Sequence, residues 1–306
     1  MRHRTASVPL IGPGIGTVIG ALLLAGCTVA TGARGGDATP VPGSATGFRA
    51  RAEQVAAAWT GSAAERAWRS GYIPEQDTAV PAADAFHNQS DKAEFFSGSV
   101  TVAVPLPAVA STGTVRWATG GTLTLPRLGL VQALRATGDG SCPTTSCPAD
   151  LVVTSAEPTT IRLATSRGEA AVPAWSFHLA GYRGAFLVAA VAPSGGGTDS
   201  SGIRPAGVDP SVLPAYLKSV SADGRTLTLA VGDPSCGSIQ DSVGVNVDET
   251  SDVVVVGGWD TPAKVPPGTV CAAAAVDVVK TVHLARPLGT RVVLDAVMGT
   301  PESPRP

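Results

Sequence analysis

The chain has 306 residues, 44% hydrophobic and 15% charged, with a formal net charge of −2. That apolar content is ample for packed cores, and the length has room for two domains of ordinary size. Without Arg2 and Arg4 the net charge is −4, and no run of lysine or arginine follows, which argues against nucleic acid as a partner.

The chain opens with Arg2 and Arg4, then an apolar run from Ile15 to Leu24, then small residues, which is the order of a secretory signal. The run is too short to cross a bilayer, which takes about 20 residues. Gly12, Pro13, Gly14 and Gly16 weaken it further as a helix. Their glycine-rich spelling is no nucleotide loop, because it lies inside the signal with no strand before it. Leu24-Ala25-Gly26-Cys27 resembles the lipobox of bacterial lipoproteins. The resemblance implies a signal peptide over 1–26, a diacylglyceryl group on the Cys27 thiol, and cleavage that leaves this cysteine first. The expected partner is then the membrane, held through the lipid anchor at Cys27 on the extracytoplasmic face. An ordinary signal leaving Cys27 as a free thiol is the alternative. Residues 27–47 are mostly Gly, Thr, Ala and Pro with little bulk and read as a flexible tether.

Phe48, Ala52, Val55 and Trp59 follow helical spacing, Ala63 extends the face, and Gly71 ends a helix from Phe48 to Ser70. From Ser99 the pattern turns to strands, with Val100, Val102 and Val104 alternating. Thr114–Trp117 and Thr122–Leu125, around Ala118-Thr-Gly-Gly121, read as a hairpin. Leu128, Val131 and Leu134 are spaced for a short helix. Strand-like runs follow at Leu151–Ser155, Thr160–Thr165, Ala170–Leu179 and Ala185–Val191, with Glu157-Pro158 breaking the first from the second. Pro193 to Gly202 is the strongest candidate linker. Beyond it come Ala215–Val220, Arg225–Val231, the alternating Val243–Val247, Val276–Leu284 and Arg291–Val297. Val253–Val256 is continuously apolar, as for a strand buried on both faces. The expected fold class is α+β, with two mainly antiparallel β-rich domains and a few short helices. The expected boundaries are an N-terminal domain over 48–192, a linker over 193–206, a C-terminal domain over 207–300 and a tail over 301–306. Thr-Leu-Thr-Leu recurs at 122–125 and 226–229, which suggests a duplication.

Besides Cys27 there are Cys142, Cys147, Cys236 and Cys271. An even number in an exported chain reads as disulfides, and proximity in sequence favours Cys142–Cys147 and Cys236–Cys271 over the other pairings. His87, His178 and His283 lie away from any cysteine pair at ligand spacing, so no metal is expected. Asp248, Glu249 and Asp252 lack the calcium-loop pattern.

No nucleophile elbow occurs; Gly232-Asp-Pro-Ser-Cys-Gly237 has the wrong spacing. No catalytic residue and no cofactor is therefore assigned. Trp175, Tyr182 and Trp259 are candidates for an aromatic ligand-binding platform. Trp259 follows Gly257-Gly258 and precedes Asp260-Thr-Pro, so a loop position is expected for it. Thr165-Ser-Arg-Gly168, Val172-Pro-Ala-Trp175, Phe177-His-Leu-Ala-Gly-Tyr182 and Leu284-Ala-Arg-Pro-Leu-Gly-Thr-Arg291 resemble uncharacterised secreted lipoproteins of actinobacteria. That resemblance implies location and architecture, with no activity attached. The expected function is a non-catalytic binding or interaction module at the cell envelope, with an envelope protein or glycan as partner. An envelope hydrolase whose site is assembled from distant residues, around His87 or His178, is the first alternative. A structural spacer is the second.

Overall fold

The computed structural model describes residues 44–82, 85–138, 151–194, 212–233, 243–261 and 276–304. Cys27 and the four other cysteines, tether residues 27–43 and linker residues 195–206 lie outside the described residues, whereas 44–47, expected as tether, begin a helix. Within Thr39–Pro306, one compact unit, the chain is β-rich with a few short helices. Two helices lead, α1 (Ser44–Trp59) and α2 (Ala63–Ser70). Then come β1 (Ala79–Val80), α3 (Gln89–Ser97), β2 (Thr101–Val102), β3 (Thr112–Trp117), β4 (Thr122–Pro126) and α4 (Leu130–Arg135). Three strands close the first half: β5 (Val152–Leu163), β6 (Ala170–Leu179) and β7 (Phe186–Ala189). The second half holds β8 (Ala215–Val220), β9 (Thr226–Asp233), β10 (Val243–Glu249), β11 (Val253–Asp260), β12 (Val276–His283), β13 (Val292–Asp295) and β14 (Pro301–Glu302).

The seven strands of the first half form one sheet in the order β1-β7-β6-β3-β4, with β5 along the other side of β6 and β2 beside β5. The predicted hairpin is β3–β4, paired antiparallel from Thr112↔Pro126 to Arg116↔Thr122. β6 is buried on both faces. Trp175, Phe177 and Leu179 face α3 and α4, in a core with Phe95, Leu130 and Leu134. Ala170, Val172 and Ala174 face Tyr72, Val115, Trp117 and Ile161. The break expected at Glu157-Pro158 does not occur: β5 runs unbroken for 12 residues. Pro158 sits opposite Trp175 of β6, and β2 borders β5 only at Val152 and Val153. The missing N–H therefore falls on an open edge, where proline costs no ladder bond.

The second half carries two sheets, β10-β11-β13-β14 and β12-β9-β8. Val254, Val256 and Val293 pack between them against Leu217, Leu229 and Val231. Val253, Val255, Val292 and Leu294 point the other way, onto α1. The two-sided burial expected for Val253–Val256 thus holds.

The helical face Phe48, Ala52, Val55 and Trp59 is buried as expected, but the helix is not continuous to Ser70. Gly61 takes φ +72°, a left-handed conformation open to glycine, and Ser62 Oγ accepts from the Glu65 N–H at 3.0 Å to start α2. Ala63 is exposed rather than an extension of the face. α1 packs on the sheet of the second half. Arg51 fixes it there, donating from Nε to the Ala296 carbonyl and from Nη2 to the Val297 carbonyl, each at 2.6 Å. α2 spans the halves, since Trp68 O accepts from Ser166 Oγ at 2.8 Å and Arg69 donates to Thr290 O at 3.2 Å. The suggested duplication is not seen. β7, the last strand of the first half, runs antiparallel to β6, whereas β13, near the end of the second, runs parallel to β11. The Thr-Leu-Thr-Leu strands also lie in differently ordered sheets, since β9 pairs on both sides and β4 borders only β3.

Candidate functional site

A cleft of about 750 Å³ opens between β1 and the start of α3. Its wall is small and apolar along the chain, from Ala79, Val80, Pro81 and Ala82 to Ala85 and Phe86, with Phe96 from α3. Its mouth is polar, with Gln76 and Asp77 on one side and His87, Asn88, Gln89 and Lys92 on the other. That size and this mixture are typical of small-ligand sites.

Three local features fix the α3 side. Asn88 caps the helix, its Oδ1 accepting from the Asp91 N–H at 2.9 Å. The Tyr182 hydroxyl donates to Asp91 Oδ2. The His87 ring lies parallel on Tyr182, 4.3 Å between centroids and 9° between planes. Beneath them is an aromatic cluster: Phe86 lies 5.4 Å from Phe95 and 5.7 Å from Phe186, and Phe177 lies 5.8 Å from Phe186. Five of the six phenylalanines of the chain are in or beside it.

Burial pushes the Tyr182 hydroxyl up to about 12, reinforced by its donation to Asp91 and by that carboxylate's charge, while the His87 backbone opposes the shift. The fold therefore holds this proton more tightly than the unfolded chain, where tyrosine ionises near 10.0. The resulting stabilisation is fully present below pH 10 and is lost as pH rises through about 12. Tyr182→Phe should flatten the alkaline fall in stability between those limits, read as the urea midpoint against pH. An unchanged profile would contradict the assignment.

The three aromatic candidates do not form a platform. Trp175 is 1% exposed inside the first core, with Nε1 donating to Leu128 O at 3.0 Å, so its ring is packing. Tyr182 is half-buried and one of its faces is covered by His87. Trp259 is not on a loop but within β11, paired opposite Gly244. Its indole lies over that glycine so closely that a Cβ there would be 2.3 Å from the ring. Trp259 belongs to the other half and shares no core cluster with Trp175 or Tyr182.

Of the histidines, His283 Nδ1 meets Thr226 Oγ1 at 3.2 Å on the surface. His178 is exposed on β6. A β-bulge between Val153 and Ser155 sets its neighbours: Ser155, not Thr154, stands opposite His178, and Glu157 stands opposite Ser176. These four line a depression of about 230 Å³. Among the described residues no hydrogen bond joins their side chains; the nearest is Thr154 Oγ1 donating to the His178 carbonyl at 3.3 Å. No group of three or more His, Cys, Asp or Glu that could hold a metal occurs among the described residues. The expected pairs Cys142–Cys147 and Cys236–Cys271 lie outside those residues.

Reading the sequence for motifs missed the cleft itself. Its wall residues carry no chemistry of their own. The available signal was the density of phenylalanines, Phe86, Phe95 and Phe96, around an Asn88 helix start. No protein-family model, no curated protein and no solved structure matches the chain.

Proposed function

We propose that the protein is a lipid-anchored, extracytoplasmic binding module that captures an envelope component in the cleft between β1 and α3. The observation that carries this reading is the cleft: an apolar wall with a polar mouth, rigidly framed by the Asn88–Asp91–Tyr182–His87 set. The His87 ring, the one imidazole at the mouth, is occupied in stacking and makes no side-chain hydrogen bond to a described residue.

The test is capture from envelope extract with the lipidated protein and with Gln89→Trp, a change at an exposed position on the mouth. The expected result is a component, protein or glycan, retained by the parent and lost by the variant. Equal recovery by both would refute a role for the cleft.

The anchor is part of the proposal, with signal 1–26, Cys27 lipidated and tether 27–47 before the fold. Cys27→Ala should move the protein from membrane to medium or leave it as precursor; a fully processed variant still on the membrane would place the anchor elsewhere. Two β-rich domains, 48–192 and 207–300 with linker 193–206, are proposed alongside, held together by α1, which packs on the second sheet; of the expected tail 301–306, Pro301–Glu302 instead pair as β14 with β13. The pairs Cys142–Cys147 and Cys236–Cys271 are proposed as well. The short separations support the disulfides. Non-reduced peptide mapping that joins Cys142 to Cys236 or Cys271 would reject them.

A hydrolase is the second reading, and the bulge that brings Ser155 opposite His178 with Glu157 alongside is what favours it. Hydrolysis of envelope esters or peptides that disappears in both Ser155→Ala and His178→Ala would replace the binding reading with this one.

A further inference from the structure

From the same cleft we infer the class of ligand, an anionic single-chain amphiphile with its chain along the apolar wall and its acid group at Lys92. The inference rests on the cleft being the binding site. Polar and apolar residues are segregated by sequence: from Ala79 to Ala82 and at Ala85 and Phe86 the wall offers no side-chain hydrogen-bonding group. A sugar or other polyol bound there would lose hydrogen bonds to water without replacing them, at a cost of about 1–3 kcal/mol for each unsatisfied group. One ring of the wall is already surrounded by others. Phe86 is held by four tilted or edge-on neighbours, Phe95, Phe96, Tyr182 and Phe186, at centroid distances of 5.4–6.4 Å. An extended peptide would add to β1, the edge strand of the sheet. That edge is two residues long and Ala79 in it is 2% exposed, so it offers a peptide little main chain to pair with.

The charge at the mouth selects the head group. Lys92 is exposed and pairs with no carboxylate of the described residues. The acids nearest it on α3 are already engaged: Asp91 accepts from Tyr182, and Glu94 is buried at 1% exposure. Asp77, on the far side of the mouth, is the one acid lining the cleft among the described residues. It disfavours a second negative charge there, so the ligand carries its charge at one end. An acyl chain with a terminal acid meets all three conditions.

The probe is a photoreactive, alkyne-tagged palmitic acid given to cells that make the full-length, lipidated protein, with the matching long-chain amine as comparison. Irradiation should label residues 79–96, and Gln89→Trp should abolish that label. Lys92→Glu should cut palmitate labelling roughly fivefold, the size expected for an exposed charge pair, and raise labelling by the amine. Labelling spread over other surfaces, or equal for acid and amine in parent and variant, would overturn the inference. Loss of the captured envelope component in Gln89→Trp, with no palmitate label in the parent, would reject the amphiphile and keep the cleft. An unchanged capture in Gln89→Trp would reject both.

Discussion

Arg51→Met should cost the protein about 3–5 kcal/mol, one of the two largest single-residue losses expected. Arg51 is 3% exposed and its guanidinium donates to two carbonyls, Ala296 and Val297, at 2.6 Å each. Methionine keeps much of the stem and removes every donor, leaving one buried and one part-buried acceptor unpaired. Each carries a penalty of about 1–3 kcal/mol, and hydrogen bonds from charged groups are the stronger kind. The Arg51 charge also offsets the burial that raises the Asp295 carboxyl above its ordinary value. Asp295 accepts from the Ala215 N–H at 3.1 Å and the Met298 N–H at 2.6 Å, so it is fixed in place. Without Arg51 its folded value rises further. A raised acid contributes stability that is present below its unfolded value and lost as pH rises through the folded one. The penalty of Arg51→Met should therefore be larger at pH 8 than at pH 5. Urea unfolding at both pH values checks this; a loss below about 1 kcal/mol, or one independent of pH, would contradict the role given to Arg51. The same contact bears on the halves. Cleavage at a protease site engineered between Gly195 and Gly202 should leave two fragments that elute together, because α1 of the first completes the core of the second. Fragments that separate would show two independently closed domains.

The second large effect is Trp175→Ala, also about 3–5 kcal/mol, the usual cost of emptying a buried aromatic site. The ring fills the core between β6 and the short helix α4, and its indole N–H closes on Leu128. Arg127 lies over it, 5.7 Å from its centre. If Trp175 were a ligand platform instead, the alanine variant would keep its stability and lose only capture. Melting and capture measured on one preparation separate the two. Retained stability with lost capture would make Trp175 a ligand contact instead of core packing.

Much of the strand pattern was legible because burial leaves a period in the sequence. Val253–Val256 announced its two covered faces, and Ala170–Leu179 and Ala215–Val220 have the bounds their patterns suggest. Errors arose where a local rule met a distant partner. Pro158 reads as a break until β5 is seen to have an open edge beside it. The Gly257-Gly258 pair before Trp259 reads as a loop, yet in β11 these glycines leave room for neighbouring side chains, Phe48 and Val231. The seating of α1 could not be read at all, since Arg51 and Ala296 are separated by 245 positions and no periodicity encodes that contact. The cleft was illegible for a different reason. Its residues are close in sequence, but alanines, a valine and a proline become a cleft wall only after β1 docks on β7 and α3 turns over them. Tyr182 was singled out from sequence, and its partners Asp91 and His87 emerge only in the fold.

The most direct measurement of the account is site-specific crosslinking in the intact envelope. A photoreactive amino acid replaces Gln89 at the mouth of the cleft, with a control at Val279, which is 59% exposed on β12 in the other half. The account predicts a discrete adduct from position 89 and none from position 279, with the adduct lost when Phe86 is changed to Ala in a protein that remains folded. An adduct from position 279 alone, or one from position 89 that survives Phe86→Ala, would contradict it.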